Sequence, residues 1–314
     1  MSRVEVSMVI ISLNSRRFVR GCIDSLRAAT WRAVTYEIVV VDNGSSDGTL
    51  DMLRRDDPDV VVLANAANEG FCKAGNQGAR RARGRHLLFL NDDTLIIEDA
   101  VARLVEWLDD HPQAGSIGSR LLNSDGTDQF SSGRRFTTPS AALFGRRSPL
   151  TRLFPDAPWA RSYLMSDLID SSAPYEVDWL SAAAMMVRRD AFEAVGGLAE
   201  DYYYFHEQIF FKRLKDARFG VFLDPQSKII HHEGAGSGVR TRRVRRRHIQ
   251  AFHQAAWRWY CEHHDLGPYH PTRAAAALLL SARACVLIAA DTLKRDTRAA
   301  VQLQAGRPEG GVAL

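Results

Sequence analysis

The chain has 314 residues, enough to bury one sizeable core with a small appendage left over. Its composition is that of an ordinary globular protein, and 41 Lys+Arg against 37 Asp+Glu leave a net charge of only +4. Six arginines fall within the eight residues Arg240–Arg247, so the excess is local, which points to an anionic surface and excludes a general nucleic-acid binder. Four cysteines (Cys22, Cys72, Cys261, Cys285) show no metal-ligand or CxxC spacing, and no cleavable leader is recognisable, so a reduced cytoplasmic protein is expected.

The apolar run Val6–Ser12 predicts a first buried strand, far too short to span a bilayer. Strands at Glu37–Val41, Val60–Leu63 and His86–Leu90 follow, separated by helical spacing at Phe18, Cys22 and Leu26, at Leu50 and Leu53, and over Lys73–Arg83. Such alternation predicts an α/β fold, a mostly parallel sheet with helices on both faces. Val101, Leu104, Val105 and Leu108 mark a fourth helix, starting near Ile97. Between Leu122 and Asp178 the periodicity fades, as in a long excursion beside a site. Regular structure returns at Trp179–Arg188, followed by a helix at Arg189–Val195, an aromatic run Tyr202–Phe205, a helix at Glu207–Ala217 and strands near Val221 and Ile229. Past the arginine run, Val244, Phe252, Ala256 and Trp259 predict an amphipathic helix ended by Pro268 and Pro271. Ala274–Ala290 is apolar except Ser281 and Arg283, and a central arginine costs roughly 2.5–3.5 kcal/mol to insert, so an interfacial or packed helix is expected rather than a span.

Two turns carry the chemistry. Asp42 closes a strand and leads into Asn43-Gly44-Ser45-Ser46-Asp47, offering a carboxylate that can accept a pyrimidine N3–H; the same residue types also make a plain strand-to-helix turn. Asn91, Asp92 and Asp93 follow Leu87–Leu90 directly, and Mg²⁺ or Mn²⁺ on a diphosphate needs only one or two protein carboxylates. Helix capping is the competing use of this doublet, and a single cap does not need two acids. The loop holding Asn68, Gly70, Phe71, Lys73 and Asn76 enters a helix, where backbone N–H groups suit phosphate or sugar hydroxyls. No GxGxxG follows the first strand and no GxxxxGK[ST] occurs, which argues against a dinucleotide-dependent oxidoreductase and a P-loop enzyme.

Taken together, VSMVIISLN, VVVDNGSSDGT, NEGFCKAGNQG, LLFLNDDT, DWLSAAAMMVRRDAFEAVGGL and IIHHEGAGS, in this order, resemble the family 2 inverting glycosyltransferases of GT-A fold, nearest the bacterial rhamnosyltransferase-like branch acting on cell-surface polysaccharides. The resemblance covers roughly Val4–Gly238, about three quarters of the chain. It implies a GT-A domain over residues 1–238 with a helical extension over 239–314. It further implies that Asp42 holds the nucleotide base, that Ser12, Asn14, Asn43, Asn68, Gly70, Phe71, Lys73, Asn76, Asn91 and Asp92 line the donor site, and that Asp93, beside Asp92, holds the metal. His231, rather than its neighbour His232, would approach the metal or diphosphate, and Asp178 and Trp179 would face the acceptor.

The sequence departs from this pattern after the aromatic run, where relatives usually carry Glu-Asp with the Asp as base. Here Gln208 stands at the Asp position, and Gln takes no proton at neutral pH, so Glu207 is the expected catalytic base. The expected activity is metal-dependent transfer of a sugar from a dTDP- or UDP-linked donor, rhamnose first, to a hydroxyl of a lipid-linked or polysaccharide acceptor. A nucleotide-sugar-binding relative without transfer activity is the competing class. The arginine run reads either as a solvated helix face or as a contact to anionic lipid at about 1 kcal/mol per basic residue, which would hold the protein at the inner face of the cell membrane.

Overall fold

The computed structural model describes residues 4–130, 132–137, 153–154, 157–233 and 242–305. The chain divides into two compact units, Met1–Gly238 and Val239–Leu314. The strands of the first unit are β1 (Val6–Ser12), β2 (Tyr36–Asp42), β3 (Val61–Ala64), β4 (His86–Asn91), β5 (Thr94–Ile96), β6 (Ala114–Leu122), β7 (Gly133–Arg134), β8 (Tyr175–Glu176), β9 (Trp179–Leu180), β10 (Ala184–Arg188) and β11 (Gly220–His231). Its helices are α1 (Arg16–Ala28), α2 (Thr49–Asp56), α3 (Phe71–Arg81), α4 (Ala100–Asp110), α5 (Pro158–Leu164), α6 (Arg189–Ala194) and α7 (His206–Asp216).

One sheet runs β3-β2-β1-β4-β10-β6-β11-β5, with β8 also paired to β11. β1 to β4 are mutually parallel, and β10 enters antiparallel between β4 and β6. The near-continuous apolar runs of β1 and β2 follow from burial on both faces. Met8, Ile10, Ile38, Val40, Leu88 and Leu90 pack on one side against α1 and α4, while Val9, Val39, Leu87 and Phe89 pack on the other with α3, α6 and α7. This is the strand period of two sorting residues between the faces.

Boundaries differ from the expectation where tertiary pairing decides them. Thr94–Ile96, next to the acidic doublet, is a strand and not the approach to a helix, because it pairs antiparallel with Ile229–His231. α4 therefore begins only at Ala100. The two short strands expected near Val221 and Ile229 are one strand, β11, whose register against β6 shifts between Asp224 and Lys228 as it passes Pro225. Part of the expected excursion, 131, 138–152 and 155–156, lies outside the described residues.

A buried carboxylate ties the opposite end of the sheet together. Glu37, on β2, accepts the Ser7 hydroxyl at 2.7 Å, the Arg83 amide at 2.6 Å and the Arg83 Nε at 2.8 Å, while the Gly84 amide donates to Ser7 Oγ at 2.8 Å. Burial raises the Glu37 carboxyl, yet these hydrogen bonds outweigh it and hold the group below its ordinary value. Turning α3 back onto β1 at Gly84 thus rests on one charged acceptor, with the Ser7 hydroxyl relaying it to the Gly84 amide.

In the second unit, α8 (Arg242–His263) and α9 (Pro271–Ala305) are helices. Pro271 does not merely end the first helix; it opens the second, where its missing N–H costs nothing. Trp259, Cys261, His253 and Ala284 are buried. Arg283, the charge inside the apolar stretch, donates to His253 Nε2 at 2.9 Å, and His253 Nδ1 reaches the Ile249 carbonyl at 2.7 Å. Pro271–Ala290, at 20 residues and mean hydropathy 1.7, is long and apolar enough to cross a membrane by length and composition. Little of it is packed: Leu278 and Leu279 are 73% and 72% exposed. Residues 234–241, which include Gly234, Gly236, Ser237 and Arg240, and the side chains of 242–245 lie outside the described residues.

Replacing Glu37 by Gln is expected to lower unfolding free energy by about 1–3 kcal/mol at neutral pH, measured by urea titration. Because the folded carboxyl sits below its unfolded value, its stabilisation is present above the unfolded pKa and is lost as pH falls through the folded one. The gap between wild type and Glu37→Gln should therefore close on acidification.

Candidate active site

The site follows from strand register. Ser12 pairs with Asp42 across β1 and β2, and Ile11 pairs with Asn91 across β1 and β4, so the acidic turns leave the sheet at one edge, the carboxyl ends of parallel strands. Asp42 is 1% exposed; its Oδ1 accepts the Ser45 amide at 3.0 Å and the Gly44 amide at 3.3 Å. Its Oδ2 has no hydrogen-bond partner among the described residues. A buried carboxylate with one oxygen tied down and the other open is suited to a donor from a ligand.

Asn43 is the hub of the neighbouring loop. Its Nδ2 donates to Asn68 Oδ1 at 3.0 Å and to the Gly70 carbonyl at 3.4 Å, and its Oδ1 accepts the Glu69 amide at 3.0 Å and Asn65 Nδ2 at 3.1 Å. Gly44 is required here: its φ is +87°, and a Cβ would lie 2.9 Å from the Ala67 backbone. Asn14 joins the first two turns, with its Oδ1 accepting the Ser46 amide at 2.7 Å and its own amide donating to Ser45 Oγ at 2.8 Å. Asn14 and Asn43 thus shape the loops through their own amides.

The acidic doublet sits between β4 and β5. Pairing of Thr94 with His231 brings β11 alongside it, and the His232 amide donates to the Asp93 carbonyl at 2.9 Å. His231 Nε2 lies 3.3 Å from Asp93 Oδ1 and 3.2 Å from Asn91 Nδ2. Gln129 sets the ring. Its Nε2 donates to the His231 carbonyl, which leaves its Oε1 to accept Nδ1–H at 3.0 Å, so the Nε2 lone pair faces Asn91 and Asp93. No spacing in the sequence points to Gln129.

Burial pushes the Asp92 carboxyl up to about 6; the Ser15 hydroxyl opposes this, the neighbouring Asp93 charge adds to it, and Ser12 and the Leu13 amide also face the group. Neither hydroxyl is in full hydrogen-bond geometry, and Asp93 Oδ1 is buried without such a bond. Two adjoining acids, one orphaned oxygen and one imidazole lone pair form a donor set that a divalent cation relieves. Among the described residues no three His, Cys, Asp or Glu side chains form a closed metal cage. An ion that keeps its other positions for phosphate oxygens and water needs none. Beside His231 opens a cavity of about 570 Å³ lined by Phe18, Asn123, Ser124, Asp125, His231, His232 and Glu233. His232 turns to Ser124 Oγ at 2.6 Å.

The remaining predicted residues divide into two groups. Gly70 (φ +83°) precedes α3, the Phe71 ring lies tilted against His206 with centroids 5.3 Å apart, and Lys73 pairs with Glu69. Glu207, in the first turn of α7, is near enough to α3 to help raise the Cys72 thiol, which burial first, then the charges of Glu207, Glu200 and Asp201, pushes to about 12. That thiol is not a nucleophile. Asn76 points inward: its amide exchanges hydrogen bonds with Leu198 at 2.9 and 3.0 Å and donates to Glu200 at 2.8 Å. Trp179 is also buried, its indole N–H donating to the Arg135 carbonyl at 2.9 Å and Arg134 lying 4.1 Å over its ring. Asp178 accepts the Phe136 amide at 2.9 Å and pairs with Lys215 and Arg135. Asn76, Asp178 and Trp179 therefore support main chain around the site instead of presenting free polar atoms to a ligand.

Residues 7–196 match the sequence profile of Glycosyl transferase family 2. The chain belongs to that family. It is 27% identical over 295 residues, 90% of this chain and 92% of the other, to N-acetylglucosaminyl-diphospho-decaprenol L-rhamnosyltransferase of Mycobacterium tuberculosis. It is also 27% identical over 243 residues to the O-antigen biosynthesis protein RfbC of Myxococcus xanthus, covering 74% of this chain and 17% of that one. Among solved structures, the mannosyltransferase PcManGT of Pyrobaculum calidifontis, in complex with GDP-Man and Mn²⁺, aligns with a TM-score of 0.55 at 17% identity over 95% of this chain and 80% of that one. The protein is a glycosyltransferase of GT-A fold, and Asp42, the Asn43 hub and the Asp92-Asp93 turn lie within the matched span.

Replacing Asn43 by Ala removes four hydrogen bonds from the 65–70 loop. Hydrogen exchange at residues 66–71 should rise by a factor reflecting about 1–3 kcal/mol of lost protection, with the core strands unchanged.

Proposed function

We propose that this glycosyltransferase transfers a sugar with inversion, from dTDP-rhamnose or a UDP-hexose, to a hydroxyl of a lipid-linked or polysaccharide acceptor. The observation that carries the reading is the convergence of Asp42 Oδ2, the Asp92-Asp93 pair and His231 Nε2 at one sheet edge. Asp42 takes the pyrimidine N3–H, and the Asn43-organised loop with Asn68, Gly70 and Phe71 flanks the sugar. Mg²⁺ or Mn²⁺, held by Asp93 with Asp92 and His231 beside it, would neutralise charge on the departing diphosphate. Glu207 accepts the proton of the attacking hydroxyl. The rhamnosyltransferase likeness favours dTDP-rhamnose and a polyprenyl diphosphate-linked acceptor.

Gln208 at the usual base position favours a second reading, a donor-binding protein without transfer activity. A panel of dTDP- and UDP-sugars assayed for Mn²⁺-dependent release of nucleoside diphosphate separates the two. Glu207→Gln is expected to abolish transfer, a loss of at least about 10²-fold, while dTDP or UDP binding is retained. Unchanged turnover would remove Glu207 from the mechanism.

The extension suits peripheral attachment at the cytoplasmic face of the cell membrane, with six arginines of Arg240–Arg247 preceding exposed Leu278, Leu279 and Val286. The expected outcome is co-sedimentation with phosphatidylglycerol vesicles at low salt that weakens as salt rises. No sedimentation at low salt rejects the attachment.

A further inference from the structure

We propose that Gln208 is a positioning residue that clasps Thr137, so that the Arg134–Thr137 segment and the first turn of α7 form one rigid wall on the acceptor side of the site. The inference rests on the glycosyl-transfer reading above and deepens it. Gln208 is 5% exposed and both ends of its amide are engaged with one residue. The Thr137 amide donates to Gln208 Oε1 at 3.1 Å, and Gln208 Nε2 donates to Thr137 Oγ1 at 2.9 Å. Thr137 needs an acceptor for its N–H and receives a donor at its hydroxyl, and an amide supplies both at once without bringing in a charge at any pH. Thr137 Oγ1 also lies 3.5 Å from Tyr163 Oη on α5.

This clasp belongs to a series. Residues 135–137 are in no strand, so the backbone groups of this segment find partners in side chains and isolated pairings. The Arg134 carbonyl accepts the Asp178 amide at 3.0 Å, the Arg135 carbonyl accepts the Trp179 indole, and the Phe136 amide reaches Asp178 Oδ2. Four successive residues are thereby fixed. On α7 itself, the His206 ring packs at a tilt against Phe71 at the end of the donor loop, its Nε2 lies 3.4 Å from Glu207 Oε2, and Gln208 reaches to Thr137. Three consecutive side chains thus span from the donor loop to the Arg134–Thr137 segment, with Glu207 between. In this arrangement position 208 holds backbone in place and carries no proton.

The experiment compares Gln208→Ala, Gln208→Glu, Thr137→Val and the conservative Thr137→Ser with wild type. Readouts are hydrogen exchange at residues 134–137, the dissociation constant of dTDP or UDP with Mn²⁺, and kcat, KM and the pH profile. The last three use the donor that turns over and polyprenyl diphosphate-linked N-acetylglucosamine as acceptor. Gln208→Ala and Thr137→Val are expected to speed exchange at 134–137 and to raise the acceptor KM by about tenfold or more, with nucleotide binding within about twofold of wild type and Thr137→Ser restoring both. Gln208→Glu should not raise kcat and should add no new acidic limb to the pH profile. A large gain in kcat with Gln208→Glu, together with such a limb, would make position 208 a vacated base position and overturn the proposal. So would unchanged exchange and KM in both Gln208→Ala and Thr137→Val. Thr137→Val, which is nearly isosteric, decides the matter if Gln208→Ala does not fold. If wild type turns over no donor at all, the transfer reading fails, and the exchange data alone still confirm or reject the clasp.

Discussion

Holding Asp92 and Asp93 side by side at the end of a buried strand is the constraint on which the rest of the site depends. Both are carboxylates with restricted access to water, and burial, with the Asp93 charge beside it, makes Asp92 harder to ionise. An arrangement of this kind persists only where surrounding structure over-determines it. β1 and β4 in register fix the root of the turn, and β5 clamped to the end of β11 fixes its exit. The same clamp delivers His231. The exit of the acidic turn and the placement of the imidazole are therefore consequences of one strand pairing.

Parallel strands and their acidic termini were legible in the sequence because their signal is local: an apolar run of strand length, then Asp42 or Asn91-Asp92-Asp93. What was not legible depends on partners far away in the chain. Thr94–Ile96 carries no strand signal of its own and becomes one only through Ile229–His231. Gln129 is separated from His231 by 102 positions, and nothing near it marks it as a ring-orienting residue. Asp178 and Trp179 stood out by their motif, but motif matching says which residues recur, not what they touch. Their hydrogen bonds run to main chain, the Phe136 amide and the Arg135 carbonyl. Gln208 stood out as a departure in the sequence, while its engagement with Thr137 required the fold.

The two units solve different problems. In the first, polar side chains at the sheet edge are held by amides, and nearly every asparagine and glutamine near the site is engaged with backbone: Asn14, Asn43, Asn76, Gln129 and Gln208. Amides suit this task because each offers a donor and an acceptor without a charge to desolvate. In the second unit, Arg283 is tolerated within an apolar helix because His253 turns its unprotonated nitrogen towards it, with Nδ1 fixed by the Ile249 carbonyl. Burial, and then the guanidinium itself, holds the His253 imidazole below its usual pKa and so in the state that accepts.

The bond pattern around Gln129 has a thermodynamic corollary. One amide bridges the ring and the carbonyl of the same residue, so the orientation of the His231 side chain is specified by its own backbone. Its rotational freedom is given up when the protein folds, not when a ligand arrives. The imidazole therefore adds almost nothing to the entropic cost of assembling a complex at this edge, and a ligand that fits meets a nitrogen already aimed.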